Sequence, residues 1–210
     1  MREILKFFIK IFTIIVYRPK VIGKENIPKE GNAILCANHV HVWDSVTIIV
    51  MLKRKVNVLA KQELFNGSKI GRWFEKVAGI YPVNRESADL GAMKTSLKLM
   101  KNKELLLIFP EGTRNGIAKG KKVKKGAVMI AATTQSPIIP IGVQGTFKPF
   151  RRVTINIGKP IDYAQYKKET KDKEKMQELA NELMEEIIKL RDDEKGRKAL
   201  SEWQYSNKRS

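Results

Sequence analysis

The sequence predicts one α/β domain, a mostly buried mixed β-sheet flanked by helices, preceded by an amphipathic helix at the N-terminus. Short apolar runs alternate with stretches whose apolar residues recur at helical spacing. The 210 residues suit a single domain with room for a sizeable core. Apolar residues make up 42% and are spread along the chain, which argues against disorder.

The elements follow in order. In MREILKFFIKIFTIIVY, Glu3, Lys6 and Lys10 share one helical face, and Phe7, Phe8, Ile11, Phe12 and Ile15 cover the rest. Arg18 to Glu30 carries Pro19, Gly23 and Pro28 and reads as a connector with a short extended piece at Val21–Gly23. Ala33–Ala37 suits a buried strand, and Ser45–Leu52 reads as a helix with Asp44 as its N-cap. Val56–Ala60 and Ile80–Val83 read as strands separated by a helix near Ile70–Val77. Leu90, Met93, Leu97 and Met100 mark a helix over Ala88–Lys101, and Leu105–Phe109 is a buried strand stopped by Pro110. A helix at Gly126–Thr134 and strands at Ile138–Val143 and Val153–Ile157 follow. Met176, Leu179, Ala180, Leu183, Met184, Ile187 and Leu190 form one stripe of a last helix packed on the domain. The expected division is residues 1–17 as the N-terminal amphipathic helix, 18–195 as the α/β domain and 196–210 as a basic tail.

The first helix is too short to span a bilayer: 16 residues at ~1.5 Å each reach ~24 Å against a ~30 Å hydrocarbon core. Lys6 and Lys10 also interrupt it, and no small-residue cleavage site follows. It reads as a helix lying in the membrane interface rather than one packed on the domain.

Lys plus Arg number 41 against 22 acidic residues, a formal net charge of +19. That excess calls for an anionic partner: nucleic acid, an anionic membrane or a phosphorylated substrate. Cys36 is the single cysteine, which excludes an internal disulfide framework and fits a reducing cytosol.

Both histidines of the chain lie in CANHVHVWDSV, Cys36 to Val46. A metal site built from Cys36, His39, His41 and Asp44 has a familiar His-x-His spacing. Strand alternation through His39 would put Cys36 on the face opposite both histidines, and no further Cys or His completes the set. A base with an orienting partner needs His39 and Asp44 to meet. Five residues of regular helix separate them by ~140°, so the chain must turn between them. Exposed loop histidines beside a plain helix cap are the third reading, and these residues alone leave all three open.

Three further blocks narrow the choice. FPEGTRN (Phe109–Asn115) follows a buried strand and sets Glu111 and Arg114 around a Gly-centred turn. GIYPVNR (Gly79–Arg85) ends a strand with an arginine, and PIIPIGVQG (Pro137–Gly145) forms an apolar block around Pro140. N-H-x4-D followed by these blocks, in this order from Val21 to Pro160, resembles the glycerolipid acyltransferases, bacterial 1-acylglycerol-3-phosphate acyltransferases above all. One departure is the block YPVNR, where many members carry a more aliphatic strand before the arginine.

The resemblance implies acyl transfer from a thioester, acyl-CoA or acyl carrier protein, to the sn-2 hydroxyl of lysophosphatidic acid, giving phosphatidic acid. Glycerol 3-phosphate or a lyso-aminolipid is the alternative acceptor. It implies His39 as general base held by Asp44, direct transfer without a covalent intermediate, and phosphate contacts from Arg85, Arg114 and Lys61. Glu111, Gly112, Thr113 and Pro140 support the loops; no metal and no cofactor beyond the thioester co-substrate is expected. His41 is not a motif position. The chemistry agrees, because an alcohol needs a base, whereas a thiol of pKa ~8.5 leaves without a strong acid. In keeping with this, the chain has no G-x-S-x-G elbow.

KGKKVKK (Lys119–Lys125) falls one residue short of a phosphate-binding P-loop and has Lys122 where Ser or Thr belongs. It is expected to contact anionic headgroups or the acyl donor. A nucleic-acid binder would explain the charge but not F-P-E-G-T-R, and aromatic residues do not alternate with the basic ones. The expected location is the cytoplasmic face of the cell membrane, peripheral or monotopic.

Overall fold

The computed structural model describes residues 2–61, 79–83 and 88–193. The helix expected near Ile70–Val77 and the basic tail from residue 196 lie outside the described residues.

Seven strands form one sheet in the order β1-β7-β6-β2-β5-β3-β4. They are β1 (Lys20–Ile22), β2 (Ala33–Ala37), β3 (Val56–Lys61), β4 (Ile80–Val83), β5 (Leu105–Ile108), β6 (Ile138–Gln144) and β7 (Thr154–Ile157). All neighbours are parallel except β6 and β7, so the sheet is mixed, as the alternation of runs predicts. The described helices are α1 (Arg2–Tyr17), α2 (Trp43–Met51), α3 (Ala88–Lys101), α4 (Gly126–Thr134) and α5 (Lys173–Asp192).

The central strands are apolar on both sides because both sides are covered. Along β2, Ile34 and Cys36 face a layer formed by α3, α4 and α5, where Met100, Val128, Met176 and Leu183 lie buried. Ala33, Leu35 and Ala37 face the other layer, with Ile48 and Leu52 at α2 and Tyr17 at the end of α1. The period of two along β2 thus sorts its side chains between two cores.

Helix α5 is started by Asp172, whose carboxylate accepts the backbone N–H groups of Glu174 and Lys175, both at 2.9 Å. Its far end crosses β6 at Gly142. A Cβ there would lie 2.2 Å from the Arg191 nitrogen and 2.3 Å from the Leu190 carbonyl carbon. Backbone sits on backbone at this crossing, which only glycine allows.

Helix α1 turns Lys6 and Thr13 toward the domain. The Lys6 ammonium donates to the Leu52 carbonyl at 3.0 Å, just past α2, and Thr13 is buried. Phe12 and Tyr17 pack on Trp43 of α2 at 5.5 and 5.6 Å between ring centroids. The opposite face is left uncovered, with Ile4, Phe7, Phe8, Ile11, Phe12, Ile14 and Ile15 exposed. Lys6 carries its charge toward the domain because the carbonyl of Leu52 offers it an acceptor there. Among the described residues no helix is long and apolar enough to cross a membrane.

Candidate active site

Strands β5, β2 and β6 lie side by side and run parallel, so the loops after them leave the sheet at one edge. Ladder pairing of β2 ends at Ala37, and the next residue continues it with a side chain. Asn38 donates through Nδ2 to the Val143 carbonyl at 3.0 Å, and its Oδ1 accepts the Val143 N–H at 2.7 Å. A buried amide side chain reproduces the two-way bond of a strand and frees the backbone to turn.

The turn folds around one oxygen. Asp44 Oδ2 accepts from His39 Nδ1 at 2.9 Å, from the Val40 N–H at 2.7 Å and from the His41 N–H at 2.8 Å. Asp44 is fully buried, and its Oδ1 makes no hydrogen bond among the described residues. An oxygen that receives two backbone N–H groups is an acceptor, so His39 Nδ1 is the donor in its bond to Asp44 and Nε2 is the ring nitrogen left free of it. His39 stacks on Phe109, with centroids 4.2 Å apart and planes 24° apart, and its side chain stays 19% exposed.

Asp44 is not the N-cap that the sequence pattern predicts. Helix α2 begins earlier, at Trp43, with Val42 in the cap position and Asp44 in the first turn. The carboxylate is engaged upstream, by the loop, and the Trp43 N–H goes to His41 Nδ1 at 3.3 Å. His41 stacks on Phe147, which in turn packs on Tyr17.

The FPEGTRN loop grips His39 by its backbone. Glu111 Oε1 accepts the His39 N–H at 2.8 Å, and the Asn115 N–H donates to the His39 carbonyl at 2.6 Å. The second Glu111 oxygen accepts the Ile117 N–H at 3.2 Å, which ties the loop to itself. Gly112 has φ +65°, and a Cβ there would press on the Lys124 stem, 3.1 Å from its Cε. The Lys124 N–H also donates to the Pro110 carbonyl at 2.7 Å, so the basic KGKKVKK run lies along this loop. Thr113 is half-buried in the turn, and Arg114 is exposed at its tip.

Pro140 is buried in β6 opposite Cys36 of β2, and its carbonyl accepts the Gly158 N–H at 2.8 Å. Lys61 ends β3, with its side chain outside the described residues, as is all of Arg85. Cys36 lies in the core beside the α-helical layer, where burial pushes its thiol well above the ordinary range. Among the described residues no three His, Cys, Asp or Glu side chains converge as metal ligands would.

Sequence reasoning assigned no role to Asn38, Phe109 or Asn115. An asparagine at the last turn of a buried run is itself a signal, since its side chain bonds backbone readily. The bond from Asn115 has no such signal, because it is made by the main chain.

One imidazole is held by a carboxylate, on a loop gripped by a second loop, at one edge of an α/β sheet. Residues 18–144 match the family model described as acyltransferase. The chain is 34% identical over 154 residues to the 1-acyl-sn-glycerol-3-phosphate acyltransferase of Bacillus subtilis, covering 70% of this chain and 75% of that protein. It is 32% identical over 179 residues to the enzyme of the same name from Streptococcus pneumoniae, covering 81% and 65% of the two chains. The crystal structure of the 1-acyl-sn-glycerophosphate acyltransferase of Thermotoga maritima superposes with a TM-score of 0.63 at 26% identity, over 89% of this chain and 81% of that one. The chain belongs to the acyltransferase family.

Proposed function

We propose that this acyltransferase moves a fatty acyl chain from a thioester, acyl-CoA or acyl carrier protein, to the sn-2 hydroxyl of 1-acylglycerol 3-phosphate. The product is phosphatidic acid. The observation that carries the reading is the 2.9 Å contact between His39 Nδ1 and Asp44 Oδ2, in a chain whose relatives bear that enzyme's name.

Nε2 of His39 takes the hydroxyl proton as the oxygen attacks the thioester carbonyl. Asp44 stabilises the imidazolium so formed and holds the ring in the tautomer required. The tetrahedral intermediate then expels the thiolate, which recovers the proton from His39. No enzyme-bound acyl group is needed, and buried Cys36 is poorly placed to carry one. Arg114 receives the acceptor phosphate, with Arg85 and Lys61 as further candidates; a guanidinium pairs with phosphate through two parallel bonds. Glu111 and Gly112 hold and shape the loop under His39.

The exposed apolar face of α1 supports a peripheral or monotopic seat on the cell membrane, on the cytoplasmic side where thioester donors are available. The +19 charge suits an anionic surface.

Purified protein given palmitoyl-CoA or palmitoyl carrier protein and lysophosphatidic acid in mixed micelles forms phosphatidic acid. His39→Ala reduces turnover by about 10²- to 10⁴-fold, the usual range for losing a general base. Near-normal turnover of His39→Ala sinks the dyad, and product only with glycerol 3-phosphate or a lyso-aminolipid sinks the acceptor assignment.

A further inference from the structure

Ten large apolar side chains are exposed among the described residues, and seven of them lie on α1, from Ile4 to Ile15. The remaining three, Val42, Ile117 and Phe150, are not scattered. Each sits on a different loop leaving the same sheet edge, after β2, β5 and β6 respectively. That edge is the one that carries His39.

Phe150 is the most telling. It is 59% exposed in a turn closed by the Arg151 N–H on the Lys148 carbonyl at 3.1 Å. Pro149 fixes a negative φ at the second position of this turn, and Phe150 has φ +61° at the third. That is the pattern of a type II turn, in which the third position ordinarily belongs to glycine. A bulky side chain there is strained by its backbone and unshielded from water. The fold keeps it in place by tying the loop to α1: the Phe150 N–H donates to the Val16 carbonyl at 2.6 Å, and the Val153 N–H to the Tyr17 carbonyl at 3.2 Å.

Lys148 and Arg151 flank Phe150 and are exposed, as are Arg18, just after α1, and Lys20 at the start of β1. An exposed aromatic ring with cations on its own loop and on the segment tied to it suits the headgroup region of an anionic bilayer, where the ring buries and the charges stay wet. A second copy of this +19 chain would bring like charges together instead.

We propose that the β6–β7 loop is a second membrane anchor, with Phe150 entering the interface beside α1. Two attachment points, on α1 and on the loop after β6, fix the tilt of the domain and turn the His39 edge toward the lipid. This inference rests on the membrane seat of α1 given above, and the test separates the two.

Phe150→Gly removes the ring at a position whose backbone glycine prefers, so the variant keeps or raises its melting temperature. Binding is read by sedimentation with vesicles of phosphatidylcholine and phosphatidylglycerol, alongside Phe8→Ser in α1. The anchor predicts that Phe150→Gly lowers the partition coefficient about tenfold, the worth of one buried aromatic side chain. It also predicts that the paired change Lys148→Gln and Arg151→Gln weakens binding to phosphatidylglycerol vesicles but not to pure phosphatidylcholine. Wild-type partitioning of Phe150→Gly, with Phe8→Ser impaired, overturns the second anchor and leaves the α1 seat standing. No loss in either variant overturns both.

Discussion

Asp44 is the residue at which stability and catalysis separate most cleanly. Its Oδ2 receives three donors, two of them backbone N–H groups that shape the His39 loop. Asp44→Asn keeps an oxygen for those donors but removes the charge. A bond to a charged acceptor is worth about 1.5–3 kcal/mol and a neutral one about 0.5–1.5, so two backbone bonds lose about 2 kcal/mol in all. Asp44→Ala loses the bonds themselves and leaves two N–H groups near the core without a partner, costing about 4 kcal/mol. At about 3 °C per kcal/mol for a chain this size, the melting temperatures fall by about 6 °C and about 12 °C. Turnover follows a different order, because in the proposed mechanism the imidazolium loses its counter-charge in both variants: each drops about 10²-fold or more. Thermal melts followed by circular dichroism, and transfer rates at a temperature where both variants are folded, give the comparison. Wild-type turnover in Asp44→Asn refutes the role of the charge, and an unshifted melt in Asp44→Ala refutes the role of Oδ2 in holding the loop.

Two other changes probe the same architecture. Glu111→Gln turns one acceptor oxygen into an amide donor facing a backbone N–H, so the grip on either His39 or Ile117 fails; turnover falls about tenfold or more at little change in acceptor KM, since one misplaced ångström at a base is costly. A changed KM with unchanged kcat would instead place Glu111 in acceptor binding. Gly142→Ala drives a methyl into the backbone of Leu190 and Arg191, and no rotamer relieves it. The expected destabilisation is about 3 kcal/mol, a drop of about 9 °C in melting temperature, and an unchanged melt would mean that α5 does not rest on β6 as described.

The strands were legible because their composition left little choice. Ala33–Ala37, Ile80–Val83 and the helix Gly126–Thr134 begin and end where the apolar runs do, between Gly, Pro and polar residues. Misplaced edges have local causes. Phe109 belongs by hydrophobicity to the strand before it, yet it leaves the ladder to lie under the His39 ring. Asp44 reads as a cap because Asp before an apolar run usually is one, and only the fold reveals the two backbone N–H groups upstream, of Val40 and His41, that join His39 in claiming it. The inward turn of Lys6 was hidden for the same reason: periodicity shows which residues share a face, not which face meets the protein.

What joins the two distant motifs is direction. His39 and Glu111 are 72 positions apart, and nothing in the intervening sequence brings them together. Parallel pairing of β2 with β5 does so, with Cys36 opposite Ile108, because parallel neighbours end at the same edge. Had the two strands been antiparallel, the N-H-x4-D and F-P-E-G-T-R loops would have left opposite ends of the sheet. Glu111 could then not have held the His39 amide. The antiparallel pairing among the named strands, β6 with β7, makes the loop after β6 a return at this same edge. The same edge gathers Val42, Ile117 and Phe150, so the direction that brings Glu111 to His39 also sets the edge on which the proposed membrane contact lies.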